Sequence, residues 1–102
     1  QSEALYQLAG QAVDGSVSSK MFGKPCYKIN GKAFIIYYQD EMVFKLEGTV
    51  HAEAISLEGA KLFDPSGKGR AMKEWVQLLY THSDKWKYYA AEAAAYVAAS
   101  VK

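Results

Sequence analysis

A chain of 102 residues, half of them hydrophobic, is long enough for one two-layer core, too short for two, and too apolar to stay disordered. Twelve Lys and Arg against eleven Asp and Glu leave a formal net charge of +1, so no global field draws the chain to nucleic acid or to an anionic membrane, and any such binding needs a local patch. The single cysteine, Cys26, excludes an internal disulfide, no apolar run nears the roughly 20 residues of a membrane span, and the amino end lacks a signal-peptide pattern, so a cytoplasmic location is expected.

Ser2 to Val13 carries Leu5, Leu8, Ala9 and Ala12 at helical spacing, with Ser2 as N-cap and Glu3 where the positive helix end favours an acid. Asp14-Gly15-Ser16 ends this amphipathic helix. Val17 to Lys20 then leads into Met21-Phe22-Gly23-Lys24-Pro25, where a glycine and a proline so close together argue for a bulge or a bent edge. Three antiparallel strands are expected from Cys26 to Leu46. Asn30-Gly31 is a two-residue hairpin turn, because type I′ geometry needs positive φ at both central positions. Ala33 to Tyr38 is apolar or aromatic throughout, the pattern of a strand covered on both faces or lying centrally in a sheet. After Gln39-Asp40-Glu41, Met42, Phe44 and Leu46 share one face and Val43 and Lys45 the other.

Thr49 caps a second short helix, Val50 to Leu57, with Val50, Ala54 and Leu57 on one face and Gly59 as the left-handed residue past its end. Lys61-Leu62-Phe63 reads as a short strand and Asp64-Pro65-Ser66-Gly67 as a type I turn. Arg70 to Leu79 is the returning strand, with Met72, Val76 and Leu78 on one side and Trp75 and Leu79 on the other. Thr81 or Ser83 caps a last, alanine-rich helix that runs to about Val101. Its Trp86, Tyr89, Ala90, Ala93, Val97 and Val101 face the sheet, while Tyr88, Ala91, Ala95 and Ala99 face away with little charge. The expected fold is a single two-layer α+β domain over residues 1–102: an antiparallel sheet of about five strands, packed by amino-terminal and carboxy-terminal helices with a short middle helix.

Chemistry is sparse in this pattern. Gly67-Lys68-Gly69-Arg70 lacks both the glycine five residues before Gly67 and the hydroxyl residue after the lysine that a phosphate-binding loop requires, so turn geometry accounts for its glycines. Cys26 with two distant histidines, His51 and His82, forms neither a nucleophile–base pair nor a metal-ligand spacing. No catalytic residue, metal or cofactor is therefore expected. Lys20, Lys24, Lys28, Lys32, Lys68, Arg70 and Lys73, interleaved with Phe22, Tyr27 and Tyr37, offer a second reading as a basic aromatic surface for a nucleic acid. The outer face of the last helix, Tyr88, Ala91, Ala95 and Ala99, with few charges beyond Lys85, Lys87 and Glu92, suits self-association as a two-fold dimer, since small residues let helices approach closely.

Met21-Phe22-Gly23, Asn30-Gly31-Lys32, Gly59-Ala60-Lys61-Leu62-Phe63-Asp64 and Gly69-Arg70-Ala71-Met72-Lys73-Glu74-Trp75-Val76 together resemble the amino-terminal domain of the TfoX/Sxy family over nearly the whole chain. The sequence departs from that pattern at Ala71, where the family has Pro, at Glu74, where it has Gly, and at Lys24-Pro25 in place of a glycine-rich run. The resemblance implies a two-layer α+β fold with helices on one side of the sheet. It also implies a non-enzymatic role in transcriptional regulation of bacterial competence through contact with a protein partner, without catalytic residues. Phe22, Gly23, Lys24, Arg70, Lys73 and Trp75 are the candidate binding surface, with a protein partner as the first reading and nucleic acid as the second.

Overall fold

Three two-residue turns set the first four strands in a computed structural model that describes residues 1–65, 69 and 71–100. Phe22 and Gly23 sit at φ 56° and 74°, Asn30 and Gly31 at 52° and 81°, and Gln39 and Asp40 at 50° and 65°. Positive φ at both central residues marks the hairpin turn whose twist matches that of the strands it joins. β1 (Val17–Met21), β2 (Lys24–Ile29), β3 (Lys32–Tyr38) and β4 (Glu41–Lys45) form an antiparallel meander. After α2 (Gly48–Ile55), β5 (Lys61–Phe63) and β6 (Met72–Leu78) complete a six-stranded sheet in the order β1-β2-β3-β4-β6-β5. A 3-10 turn (Tyr80–Lys85) leads into α3 (Trp86–Ser100), which packs with α1 (Ser2–Gln11) across the meander.

The expected α+β architecture is present, with one more strand than the expected five. Val-Ser-Ser-Lys-Met has little apolar pattern, yet it pairs residue for residue with β2 from Val17↔Lys28 to Met21↔Lys24. Gly23 and Pro25 mark no bulge there: Gly23 completes the turn and Pro25 pairs with Lys20 inside β2. The irregularity falls one hairpin later, where Tyr27↔Ile35 and Lys28↔Ala33 leave Phe34 as the extra residue of β3. Phe34 and Ile35 therefore both point to the helical side, while Ala33 and Ile36 point to the other. β3 is thus covered on both faces, as its unbroken apolar run predicts.

The larger core lies under the helices and joins Tyr6, Phe34, Ile35, Phe44, Trp86 and Tyr89. Two tyrosine–glutamate bonds lock α3 in place: Tyr89 donates to Glu53 of α2 at 3.0 Å, and Tyr96 donates to Glu74 of β6. Burial and then the Glu53 bond push the Tyr89 hydroxyl up to about 12, and the Glu74 bond, followed by burial, does the same for Tyr96. The inner face of α3 is as expected, with Val101 outside the described residues.

Several local expectations are corrected. The buried face of α1 is Ser2, Tyr6, Ala9 and Gly10; Leu8 is 61% exposed and Ala12 is also exposed. Gly10 is the cause, since a Cβ there would lie 2.4 Å from the Tyr27 ring, so only glycine lets α1 approach β2 this closely. Ser2 does not cap α1 and Thr49 does not cap α2; Gln1 and Glu47 hold those positions without side-chain cap bonds, and Leu79 rather than Thr81 or Ser83 precedes the 3-10 turn. β6 starts at Met72, with Ala71 outside it, and the shift between Leu62↔Val76 and Phe63↔Met72 turns Met72 to the Trp75 side of the sheet. Ser66, Gly67, Lys68 and Arg70, which carry the expected type I turn and the glycine-lysine loop, lie outside the described residues. Among the described residues no helix is long and apolar enough to cross a membrane.

Gly10→Ala separates local propensity from tertiary packing. In an isolated helix the change favours helix by about 1 kcal/mol. Here the methyl group overpacks Tyr27, so urea unfolding should show a net loss of about 1 to 3 kcal/mol; a stabilised variant would sink the close-approach account.

Candidate functional site

The face of the sheet away from the helices holds a second, thinner core of Cys26, Ala33, Ile36, Val43, Phe63 and Trp75. These side chains are buried without a helix above them. Met21, Tyr38 and Met72 pack against them, and Tyr38 of β3 meets Phe63 of β5 edge to face at 5.5 Å, reaching over β4 and β6. Lysine stems complete the roof: Lys24 Nζ lies 4.9 Å from the Tyr38 ring centroid and Lys45 Nζ 5.9 Å from that of Trp75.

Register places the remaining charges. Directly opposed residues of antiparallel strands share a face. Lys28 opposes Ala33, and Lys61 opposes Gln77, itself opposite Val43, so both lysines stand on this same open face with Lys24 and Lys45. Glu41 is its acid, held by a 2.6 Å bond from Gln77, while Glu74 at the strand end is 3.8 Å from Lys45. The six strands carry seven lysines, Lys20, Lys24, Lys28, Lys32, Lys45, Lys61 and Lys73, against Glu41 and Glu74. The helical elements reverse the balance, with Glu3, Glu53, Asp84 and Glu92 against Lys85 and Lys87. The strands thus carry a net positive charge and the helical elements a net negative one, although Lys20 and Lys32 stand by register on the helical side and five further acids lie in the connections.

The candidate binding residues do not converge. Phe22 and Gly23 form the exposed β1–β2 turn, with the Phe22 ring 52% exposed, and Lys24 follows on β2 beside Tyr38. Trp75 is only 5% exposed and lies at the opposite end of the sheet, beside Lys45, which makes it core. Lys73 is exposed and its carbonyl accepts from His51 Nε2 at 2.8 Å, while Arg70 lies outside the described residues. Of the aromatics proposed to interleave with the lysines, Tyr27 and Tyr37 are on the helical side, packed around Tyr6. Lys45 and Lys61, absent from that sequence set, belong to the open face, and strand register is the signal that finds them.

The thiol and imidazole side chains are buried or hydrogen-bonded. Cys26 is wholly buried, and burial pushes its thiol up, with Lys28 as the opposing influence. His82 Nε2 bonds the Glu58 carbonyl at 2.8 Å, so both imidazoles are tied to backbone oxygens. Among the described residues no cluster of three or more His, Cys, Asp or Glu side chains could hold a metal ion. Ser2 donates to Asp40 at 2.7 Å and Tyr37 donates to the same oxygen at 3.0 Å, pinning the start of α1 to the β3–β4 turn. The bonds from Ser2 and Tyr37 hold the Asp40 carboxyl below the usual carboxylate range.

Concavities are shallow. A hollow of about 340 Å³ is bounded by Gln1, Ser2, Asp40 and Tyr80. A groove of about 380 Å³ between α1 and the start of α3 is lined by Leu5, Leu8, Ala9, Ala12 and Trp86, with Gln11, Ser83 and Lys87 as its polar residues. No protein-family model and no curated protein matches the chain.

Two measurements follow from this geometry. Trp75→Ala should cost about 3 to 5 kcal/mol in urea unfolding, as large core aromatics do; a loss below about 1 kcal/mol would return Trp75 to the surface. A carboxyl held low when folded adds stability above its unfolded pKa that is lost as pH falls through the folded one. The parent should therefore lose urea resistance more steeply on acidification than Asp40→Asn, and superimposable acid profiles would remove the clamp.

Proposed function

We propose that the chain is a non-enzymatic interaction module, resembling the TfoX/Sxy amino-terminal domain and acting in transcriptional regulation inside the cell through protein contacts. Burial of Cys26, the engaged histidines and the Ser2–Asp40–Tyr37 clamp support a role without chemistry of its own. The two-layer architecture with its helices on one side of the sheet agrees with what the resemblance implies.

The observation that carries the reading is the outer face of α3. Tyr88 is 49% exposed, and Ala91, Ala95 and Ala99 are exposed along the same face. The Tyr88 ring is held edge to face against Tyr89, 4.8 Å between centroids, so it is presented rigidly. Small side chains without charge allow a second helix to approach closely, and a two-fold pairing buries the same patch on both copies. The partner in this reading is a second copy of the chain.

Sedimentation at tens of micromolar should show a dimer. Ala91→Glu with Ala95→Glu should give a monomer of unchanged helicity, because like charges would meet across the two-fold axis. A monomeric parent, or a dimer that survives the double replacement, would overturn α3 as the contact.

A further inference from the structure

From the charge segregation we infer that the open face of the sheet binds the phosphate backbone of double-stranded nucleic acid without reading sequence. Lys24, Lys28, Lys45 and Lys61 stand on that face, spread over β2, β4 and β5. Neighbouring strands are about 4.8 Å apart, so four steps across the sheet from Lys28 to Lys61 span roughly 19 Å. Lys24, Lys28 and Lys61 make no ion pair with any described residue, while Lys45 is offset by Glu74 and the face also carries Glu41. The surplus is positive and laid out in two dimensions, which complements a phosphate lattice better than a single anionic group.

The rings decide the form of nucleic acid. Single strands are held by bases stacked on exposed aromatics. Among the described residues of this face Phe63 and Trp75 are buried and Tyr38 is engaged by Lys24 and Phe63, which leaves the exposed Phe22 of the β1–β2 turn as a lone ring beside it and no run of rings on which successive bases could stack. The same burial disfavours an anionic bilayer, because the apolar side chains that would enter it lie beneath the lysine stems. Contact is left to lysine and phosphate, which position a duplex without specifying bases.

Fluorescence anisotropy with a labelled mixed-sequence duplex should show micromolar binding near 50 mM salt, weakening with a log–log slope of about −3 for three to four neutralised phosphates. Lys28→Gln with Lys61→Gln, which keeps the stems near neutral in volume, should flatten that slope by about 2. Lys85→Glu with Lys87→Glu on the helical side should leave it unchanged, and urea midpoints confirm that each variant is folded. The inference is overturned if the duplex is not bound at low salt, if the sheet variant keeps the parent slope, or if the helical variant loses binding equally. It is also overturned if single strands, polyglutamate or phosphatidylserine vesicles bind more tightly than the duplex. Lys28→Gln with Lys61→Gln leaves the outer face of α3 untouched, so duplex binding and self-association succeed or fail separately.

Discussion

Strand β3 has no side that can face water. Phe34 and Ile35 enter the core under the helices, Ala33 and Ile36 enter the opposite one, and all four are buried. A helix layer satisfies only the first pair, so the sheet must cover the second with its own side chains. Each fully buried Ile or Phe contributes about 1.5 to 3 kcal/mol, enough to justify a second core on a chain this small. The bulge at Phe34 lets one strand feed both cores, because it places two consecutive large side chains on one face and shifts the pleat.

How the second core is roofed has electrostatic consequences. Lysine is one of few side chains that can shield an apolar centre with its methylenes while keeping its charge in water. Lys24 over Tyr38 and Lys45 over Trp75 do this directly. Basic charge thereby collects on the open face, and the acids that balance it stand mostly off the strands, four on the helical elements, where Glu53 accepts from Tyr89, and five in the connections between elements. A surface built to cover a core is then available to a polyanion.

Anchoring of α1 joins the two layers. Gly10 gives the Tyr27 ring room, and Ser2 and Tyr37 share Asp40 at the other end of the same helix. The helix is fixed by one close approach and one polar clamp rather than by a wide leucine stripe, which is why Leu8 is left outside. α3 is fixed instead by Tyr89 and Tyr96 on its flanks, so its small outer residues carry no packing duty toward the sheet.

Local sequence was enough wherever one residue type answers one backbone demand. Asn30-Gly31 names its turn through positive φ, the unbroken Ala33–Tyr38 run names a two-sided strand, and the spacing of Trp86, Tyr89, Ala93 and Val97 names the buried face of α3. The same logic yielded the two-layer α+β class. Tertiary structure decided what depends on partners distant in sequence. Val17–Met21 is a strand because β2 offers it a ladder, not because its own residues favour one. Leu5, Leu8, Ala9 and Ala12 could share a helix face, but periodicity reports only which residues can be buried together: Leu5 and Ala9 do pack on the core, while Gly10 against Tyr27 turns Leu8 and Ala12 outward. Trp75 read as a surface candidate until register placed it over Lys45, and Lys45 and Lys61 joined Lys24 and Lys28 through strand order alone. Net charge is a sum over the chain, whereas a field is set by where the charges stand, and only the fold sorts them by layer.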